Sequence, residues 1–262
     1  LHHHLPSGAR MKIEYVEAGP PRGRAKIQDL YDLRQTPSIA GGRQKLLLEI
    51  LGPNFRPVQV TDDLEGFWAA IWDYFQVRAA SPYSQVLEER RMPGARWFAG
   101  AEINYAEHAL AGDDDHPALV FKSETRPLTT LTYRKLRREV ASVAAGLRRL
   151  GVGKGDRVAA LMPNIPETVV AFLATASIGA VWSACSPEFG ARSVVERFRQ
   201  IGPKVLLTVD GYRYRGRDFS LIEAVAGVQR ELPTLEHTVV ASYLSATPEL
   251  DGLRDTMSWD DL

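Results

Sequence analysis

Short apolar segments and helical segments alternate through the second half of the chain, and this alternation constrains the fold more than any other feature. Each apolar segment is hydrophobic almost throughout, which is typical of strands that are buried on both faces of a sheet. Strands separated by helices favour parallel pairing with right-handed crossovers. The sequence therefore predicts an α/β fold with a largely parallel sheet covered by helices on both faces, and with strands at residues 157–162, 180–185, 204–209 and 237–241.

Helix signals lie between and before these strands. Thr132 and Gly151 are expected to begin and end one helix, because a threonine side chain accepts a bond from a free amide and glycine adopts the conformation found just past a helix end. Ser220 and Glu223 are expected to form a capping box that begins another. The remaining elements of this half are predicted at 118–124 and 129–133 as strands, and at 166–177 and 191–200 as helices.

An amphipathic helix is predicted to begin at Asp62, which forms a capping box with Glu65. Its apolar residues recur every three or four positions, as expected for a stripe that packs against a core. These residues are Leu64, Phe67, Trp68, Ile71, Trp72 and Phe75. A shorter helix is predicted near residues 105–110. The three aspartates at 113–115 are expected in a surface loop, because calcium-binding loops alternate their ligands and contain a glycine turn.

Charge and cysteine content limit the classes of partner and compartment. The chain has 32 basic and 32 acidic residues, so no net field favours nucleic acid or an anionic membrane. We therefore expect neither as a partner. The single cysteine cannot form an internal disulfide, and no leader sequence is evident, so a cytoplasmic location is expected. Cys185 has no histidine nearby in sequence and is interpreted as a small packed side chain, not a nucleophile.

Two turns resemble functional loops, but we interpret both as structural. Residues 151–157, GVGKGDR, run from a helix into a strand, whereas phosphate loops run from a strand into a helix whose N-terminus faces the anion. Lys154 is therefore expected in solvent. In the break at 163–167, Asn164 is expected to cap the following helix, Pro166 to lie in its first turn, and Glu167 to favour the positive end of the helix dipole.

Residues 210–219, DGYRYRGRDF, are the better candidate for an anion site. They follow the carboxyl end of a predicted central strand, where ligands of open α/β sheets bind. Three arginines alternate there with two tyrosines and a glycine, which suits a phosphate that lies near an aromatic or purine surface. The alternative is a solvated loop whose arginines pair with Asp210 and Asp218.

Several motifs together resemble a known family. The segment LTYRKLRREVASVAAGLRRLGVGKGDRVAALMPNIPETVVAFLATASIGAVWSACSPEFG is similar to the first half of the adenylate-forming acyl-CoA synthetases. MPGARWFAGAEINYAE, WSACSPEFG and DGYRYRGR are most similar to members that activate acetoacetate. The resemblance extends over about residues 62–262. It divides the chain into a probable expression-tag remnant at 1–10, an N-terminal segment at 11–61, a helical synthetase N-terminal region at 62–117 and an incomplete AMP-binding α/β domain at 118–262.

The resemblance implies a ligase that uses ATP and Mg²⁺ to convert acetoacetate to an acyl-adenylate and then transfers the acyl group to coenzyme A. It also implies a phosphate loop ending in Gly-x-Pro-Lys and a catalytic lysine, and the 262 residues contain neither feature where the family has it. We therefore assign no catalytic or metal-binding residue and expect the chain to be inactive without the C-terminal part of the same enzyme. The alternatives are a synthetase for another short acid and a non-catalytic α/β interaction module.

The resemblance also implies a coenzyme A site. In related synthetases, arginines in the loop after the corresponding strand bind the 3′-phosphate of coenzyme A, and they correspond to Arg213 and Arg217. A second segment that touches the nucleotide of coenzyme A corresponds to Ser186, Pro187 and Glu188.

Overall fold

The computed structural model describes residues 2–16, 19–30, 37–40, 42–51, 57–61, 63–89, 91 and 93–262. The chain divides into two compact units, Leu1–Ile103 and Asn104–Leu262. Each unit has a hydrophobic cluster of its own. Within the described ranges, no helix has both the length and the apolar character that crossing a membrane requires.

The first unit is built mainly of strands. In chain order its elements are β1 (His2–His4), β2 (Arg10–Glu14), β3 (Arg22–Lys26), a 3₁₀ turn (Ile27–Leu30), β4 (Ser38–Ile39), β5 (Gln44–Lys45), β6 (Leu47–Leu51), β7 (Pro57–Thr61), α1 (Leu64–Tyr74), β8 (Gln85–Glu89) and β9 (Arg96–Ala99).

Five of these strands form one sheet in the order β1-β2-β3-β6-β7. Side chains alternate along β2 and β3, so that Met11, Ile13 and Ala25 are buried on one face while the charged residues lie on the other. Residues 1–10, expected to be a tag outside the fold, contribute β1 and the buried Leu5. The chain's division into the four predicted ranges stays a prediction.

Helix α1 begins one residue later than predicted. Its N-cap is Asp63, whose carboxylate accepts a bond from the amide of Gly66 at 2.8 Å, and Asp62 lies outside the described residues. None of its residues is fully buried. Trp72 nevertheless stacks on Phe98 with ring centroids 4.5 Å apart, and Trp68 meets Trp97 edge to face. Trp68 and Trp72 of the predicted stripe therefore contact β9, Phe67 packs against the hydrophobic cluster of this unit, and Phe75 is 65% exposed.

The second unit contains most of the predicted elements. They are α2 (Tyr105–Ala109), β10 (Pro117–Phe121), β11 (Thr129–Thr132), α3 (Tyr133–Arg149), β12 (Arg157–Leu161), α4 (Pro166–Ser177), β13 (Val181–Cys185), α5 (Ala191–Arg199), β14 (Val205–Val209), β15 (Gly211–Tyr214), β16 (Arg217–Ser220), α6 (Ile222–Glu231), β17 (His237–Ala241) and β18 (Thr256–Ser258).

The central sheet confirms the predicted α/β fold. Its five strands run parallel in the order β13-β12-β14-β17-β18. The side chains of β12 and β14 are almost completely buried. Helix α4 packs with α2 and α3, whereas α5 packs with α6. The chain moves along the sheet in one direction from β12 to β13 and in the opposite direction from β13 to β14. Because both crossovers are right-handed, α4 and α5 lie on opposite faces of the sheet.

Three helix starts in this unit were predicted from side-chain signals, and the structure confirms one. Thr132 caps α3 by accepting a bond from the amide of Lys135, and Gly151 follows the helix with a φ of +74°. Helix α4 instead begins after Ile165, so the prediction of Asn164 as its cap was wrong. Helix α6 begins after Leu221 without a side-chain cap, so the predicted Ser220–Glu223 capping box was also wrong.

Candidate functional site

The carboxyl edge of the parallel sheet gathers the loops that the sequence singled out. The chain leaves β12 towards β13 and then crosses back over β12 to β14, so the winding direction reverses between β12 and β14. Ligands of open α/β sheets bind outside the carboxyl ends of the strands at such a reversal. Residues 162–165, 186–190, 210–220 and 242–247 follow β12, β13, β14 and β17 at this edge.

The predicted arginine loop is a β-hairpin in the structure. β15 and β16 pair antiparallel from Gly211 opposite Ser220 to Tyr214 opposite Arg217. Its two central turn residues, Arg215 and Gly216, have φ values of +52° and +73°. Two positive φ values define the type I′ turn, whose twist matches that of the strands it joins. The three arginines therefore occupy defined positions in a paired element.

The hairpin separates the two arginines that the resemblance implied as ligands of one phosphate. Directly opposed residues share a face and neighbours along a strand alternate. Arg213 therefore shares a face with Asp218, while Arg217 shares the other with three aromatic residues. These aromatic residues are Tyr212, Tyr214 and Phe219, and Tyr212 stacks on Phe219 with centroids 5.1 Å apart.

Arg213 already has an anionic partner. Its Nε and Nη2 donate to the two carboxylate oxygens of Asp218 at 2.6 and 2.9 Å. The hydrogen bond to Asp218 raises the pKa of Arg213, and the same bond lowers the pKa of the Asp218 carboxyl below its ordinary value. Arg217 is exposed and, within the described ranges, has no carboxylate at ion-pair distance. Arg217 is therefore the better placed of the two for an incoming phosphate.

This pairing gives a pH-dependent prediction. Because the folded pKa of Asp218 is lowered, its pair contributes stability above the unfolded carboxyl pKa of about 4 and loses it as the pH falls through the lower folded value. In Arg213→Ala, NMR titration should show the Asp218 pKa rising towards its ordinary value. Arg192→Ala, which removes an exposed arginine on α5, should leave the Asp218 titration unchanged. An Asp218 pKa that is equal in all three proteins would contradict the pairing.

A carboxylate from outside the hairpin binds its tip. Glu124, in the loop between β10 and β11, accepts bonds from the amides of Arg215 and Gly216 at 3.0 and 2.8 Å. Successive backbone amides in a turn form a small anion-binding concavity, which the protein here fills with its own side chain. Glu124 thus fixes the tip of the hairpin.

Arg126, two residues later, connects two other loops at this edge. Its Nη1 donates to Oε1 of Glu167 at 2.6 Å and its Nη2 donates to the carbonyl oxygen of Ser242 at 2.9 Å. Its guanidinium also lies 4.8 Å from the centroid of the Tyr243 ring. Glu167 is in the first turn of α4, as predicted, and its ion pair gives it a structural role.

Asp210 provides a buried anchor beneath the hairpin. Only 6% of the residue is exposed, and its carboxylate accepts bonds from the amides of Tyr243, Leu244 and Ser245 at 2.7 to 3.2 Å. The alternative interpretation of the loop expected its arginines to pair with Asp210 and Asp218. Arg213 pairs with Asp218, whereas the carboxylate of Asp210 binds backbone amides instead. An open pocket of about 480 Å³ beside Asp210 is also lined by Glu249 and Asp251, so its charge disfavours a phosphate.

Ser186, Pro187 and Glu188 form a turn directly after β13, with the amide of Phe189 donating to the carbonyl of Ser186 at 3.1 Å. Ser186 and Glu188 are exposed and Pro187 is buried. The turn is at the same edge as the hairpin, but the strands that precede the two loops, β13 and β14, flank β12 on opposite sides. The structure therefore brings these residues to the predicted edge without joining them to the arginines.

Cys185 is buried at the end of β13, and burial raises the pKa of its thiol. A protonated, buried thiol reacts slowly with disulfide reagents. We expect native protein to react with Ellman's reagent at least about 100-fold more slowly than protein unfolded in guanidinium, which should release one equivalent because the chain has one cysteine. Equal rates in the two states would show that Cys185 is accessible.

Glu124, Arg126 and Tyr243 were not identified from the sequence. Their contacts join residues 41 to 117 positions apart, and no local spacing indicates such pairs. Across the described ranges, no group of three or more histidine, cysteine, aspartate or glutamate side chains is arranged to hold a metal ion.

Comparison with known proteins identifies the family. Residues 106–260, which contain the whole parallel sheet and the hairpin, match the family model described as AMP-binding enzyme. The chain belongs to this family. Residues 1–85 match a second model, described as ATP-dependent helicase C-terminal, and this match includes the five-stranded sheet of the first unit.

Relatives of this member of the family include acetoacetyl-coenzyme A synthetase of Rhizobium meliloti (strain 1021), which is 39% identical over 188 residues, or 71% of this chain and 29% of the relative. Acetoacetyl-CoA synthetase of Xenopus tropicalis is 39% identical over 189 residues, which are 71% of this chain and 28% of the relative. The structure of acetoacetyl-CoA synthetase from Streptomyces lividans superposes on this chain with a TM-score of 0.73 and 50% sequence identity. The superposition covers 77% of this chain and 31% of the synthetase chain. The chain thus spans less than a third of the length of these relatives.

Proposed function

We propose that this chain is part of a ligase that activates acetoacetate with ATP and transfers the acyl group to coenzyme A. The observation that carries the proposal is the 50% identity to acetoacetyl-CoA synthetase from Streptomyces lividans, with matching fold. The two curated relatives with the same name support it. We also propose that the protein acts in the cytoplasm on small molecules.

The chemistry follows from the poor reactivity of a carboxylate. Its oxygen attacks the α-phosphorus of ATP and displaces pyrophosphate, which leaves an acyl-adenylate with AMP as a good leaving group. The thiol of coenzyme A then attacks the acyl carbon, loses its proton and displaces AMP. Mg²⁺ would neutralise phosphate charge in the complete enzyme, and no group of three or more histidine, cysteine, aspartate or glutamate side chains among the described residues is arranged to hold it.

We place the 3′-phosphate of coenzyme A at the hairpin. Arg217 supplies a guanidinium that has no carboxylate partner among the described residues, and Tyr212, Tyr214 and Phe219 share its face. Guanidinium groups bind phosphate through paired hydrogen bonds, and aromatic rings offer a stacking surface to a purine. Arg213 can contribute only if it releases Asp218, so its role is to stabilise the hairpin.

The turn after β13 is proposed as a weaker contact to the nucleotide. Ser186 can donate or accept a hydrogen bond, whereas the carboxylate of Glu188 would repel a phosphate. This turn therefore suits the ribose or the base better than the phosphate. Pro187 is buried and would act by fixing the backbone of the turn.

Two experiments test the two parts of the proposal. Calorimetric titration of this chain should show coenzyme A binding about tenfold or more tightly than dephospho-coenzyme A, because a charge-assisted contact to phosphate contributes about 1.5–3 kcal/mol. Equal affinities would remove the hairpin site. The complete gene product should form AMP from ATP and coenzyme A faster with acetoacetate than with acetate, propionate or butyrate. A preference for one of those acids would instead favour the alternative synthetase.

A further inference from the structure

The hairpin formed by β15 and β16 has little packing of its own. Every residue of β16 is exposed, and on β15 only Gly211 is buried, while Tyr212 packs partly against the core cluster. A two-stranded hairpin without further support is only marginally stable in water. The position of Arg217, the proposed phosphate ligand on β16, therefore depends on contacts that hold the hairpin from outside.

The turn at the tip of this hairpin is strained. Arg215 has a φ of +52°, in the left-handed region that residues other than glycine, asparagine and aspartate seldom adopt. Type I′ turns accordingly favour asparagine or glycine at this position, whereas the chain has an arginine there. A backbone conformation that the local sequence disfavours persists only where the surrounding structure imposes it.

Glu124 supplies the contacts that impose this turn. Each of its two carboxylate oxygens accepts one bond, from the amide of Arg215 at 3.0 Å and from the amide of Gly216 at 2.8 Å. Among the described residues, no other side chain bonds to the backbone of residues 214–217. The strained turn therefore depends on one carboxylate from another part of the chain.

The loop that carries Glu124 is itself held in place. The hydroxyl of Ser123 accepts bonds from the amides of Thr125 and Arg126 at 3.3 and 3.1 Å. Arg126 is in turn bonded to Glu167 on α4 and to the chain that follows β17. Glu124 therefore connects the hairpin tip to a fixed point at the carboxyl edge of the sheet.

We propose that Glu124 is a positioning residue for the binding of coenzyme A, an inference that rests on the phosphate site proposed above at Arg217. Glu124 imposes the strained turn and so fixes the start of β16 before the ligand arrives. The guanidinium of Arg217 then needs less ordering during binding, and affinity is gained by preorganisation without contact between Glu124 and the ligand. A role through charge would have the opposite sign, because a carboxylate repels phosphate.

Calorimetric titration of the chain with coenzyme A and with dephospho-coenzyme A tests this role. Glu124→Ala should weaken the binding of coenzyme A about fivefold and that of dephospho-coenzyme A less than about twofold, because only the contact to the 3′-phosphate loses its ordered ligand. Glu124→Gln keeps one acceptor oxygen and should lose less. Glu223→Ala, which removes an exposed carboxylate on α6, is the matched control and should change neither affinity.

Arg215→Asn completes a double-mutant cycle with Glu124→Ala. Asparagine tolerates the left-handed conformation, so the turn should form without help from Glu124. In the Arg215→Asn background, Glu124→Ala should therefore change the affinity for coenzyme A by less than about twofold. Persistence of the full loss in this background would show that the turn does not link Glu124 to the phosphate site, and the inference would be wrong.

Three other outcomes would also overturn the inference. Tighter binding of coenzyme A by both Glu124→Ala and Glu124→Gln would show that the carboxylate acts by repulsion. An equal loss for both ligands would show a general structural role. If the wild type binds the two ligands equally, the phosphate site fails and the role of Glu124 fails with it, whereas equal discrimination by the wild type and Glu124→Ala would remove the role of Glu124 alone.

Discussion

Replacing Arg217 with alanine is expected to weaken the binding of coenzyme A by about 10- to 100-fold, because a charge-assisted bond to phosphate contributes roughly 1.5–3 kcal/mol. Arg213→Ala should have a smaller effect, below about fivefold, since its guanidinium is already bound to Asp218. Calorimetry with the chain measures both values.

Dephospho-coenzyme A provides the internal control for this comparison. It lacks the 3′-phosphate, so Arg217→Ala should hardly change its affinity. Arg192→Ala removes an exposed arginine on α5 and should change neither affinity. A larger loss from Arg213→Ala than from Arg217→Ala would show that the phosphate binds on the Asp218 face of the hairpin.

Asp210→Ala is expected to lower the free energy of unfolding by about 2 to 4 kcal/mol, because three backbone amides lose one shared acceptor. Asp210→Asn keeps one acceptor oxygen at nearly the same position and should lose about half as much. Urea unfolding followed by circular dichroism measures these differences.

The control for this prediction is Asp251→Ala, an exposed carboxylate beside the same pocket. A surface change of this kind should stay within about 0.5 kcal/mol of the wild type. If Asp210→Ala were equally mild, water would have to satisfy the three amides, and the loop at residues 243–245 would not depend on Asp210.

The strands and helices of the second unit were predictable because their periodicity is strong and their burial nearly complete. β17 and α4 have the predicted bounds, and β12, β13 and β14 differ by one residue. Caps were less predictable. Asn164 and Ser220 have the right side-chain chemistry, but the N-cap of each helix lies one residue later, at Ile165 and Leu221.

The hairpin and the first sheet were missed for a shared physical reason. β16 is exposed along its whole length, and β2 and β3 place charged residues at every second position, so neither has the apolar run that marked the central strands. The resemblance supplied the candidate site residues, which stay a prediction, whereas the placement of Arg213 and Arg217 on opposite faces of the hairpin follows from strand register alone.

Glu124 and Arg126 belong to one short loop, yet the first binds the hairpin tip and the second connects α4 with the residues after β17. A change in the length of that loop would therefore shift both attachments at once. Among homologous enzymes, insertions or deletions between β10 and β11 should accompany altered affinity for the acyl carrier, even though no residue of that loop is proposed to touch it.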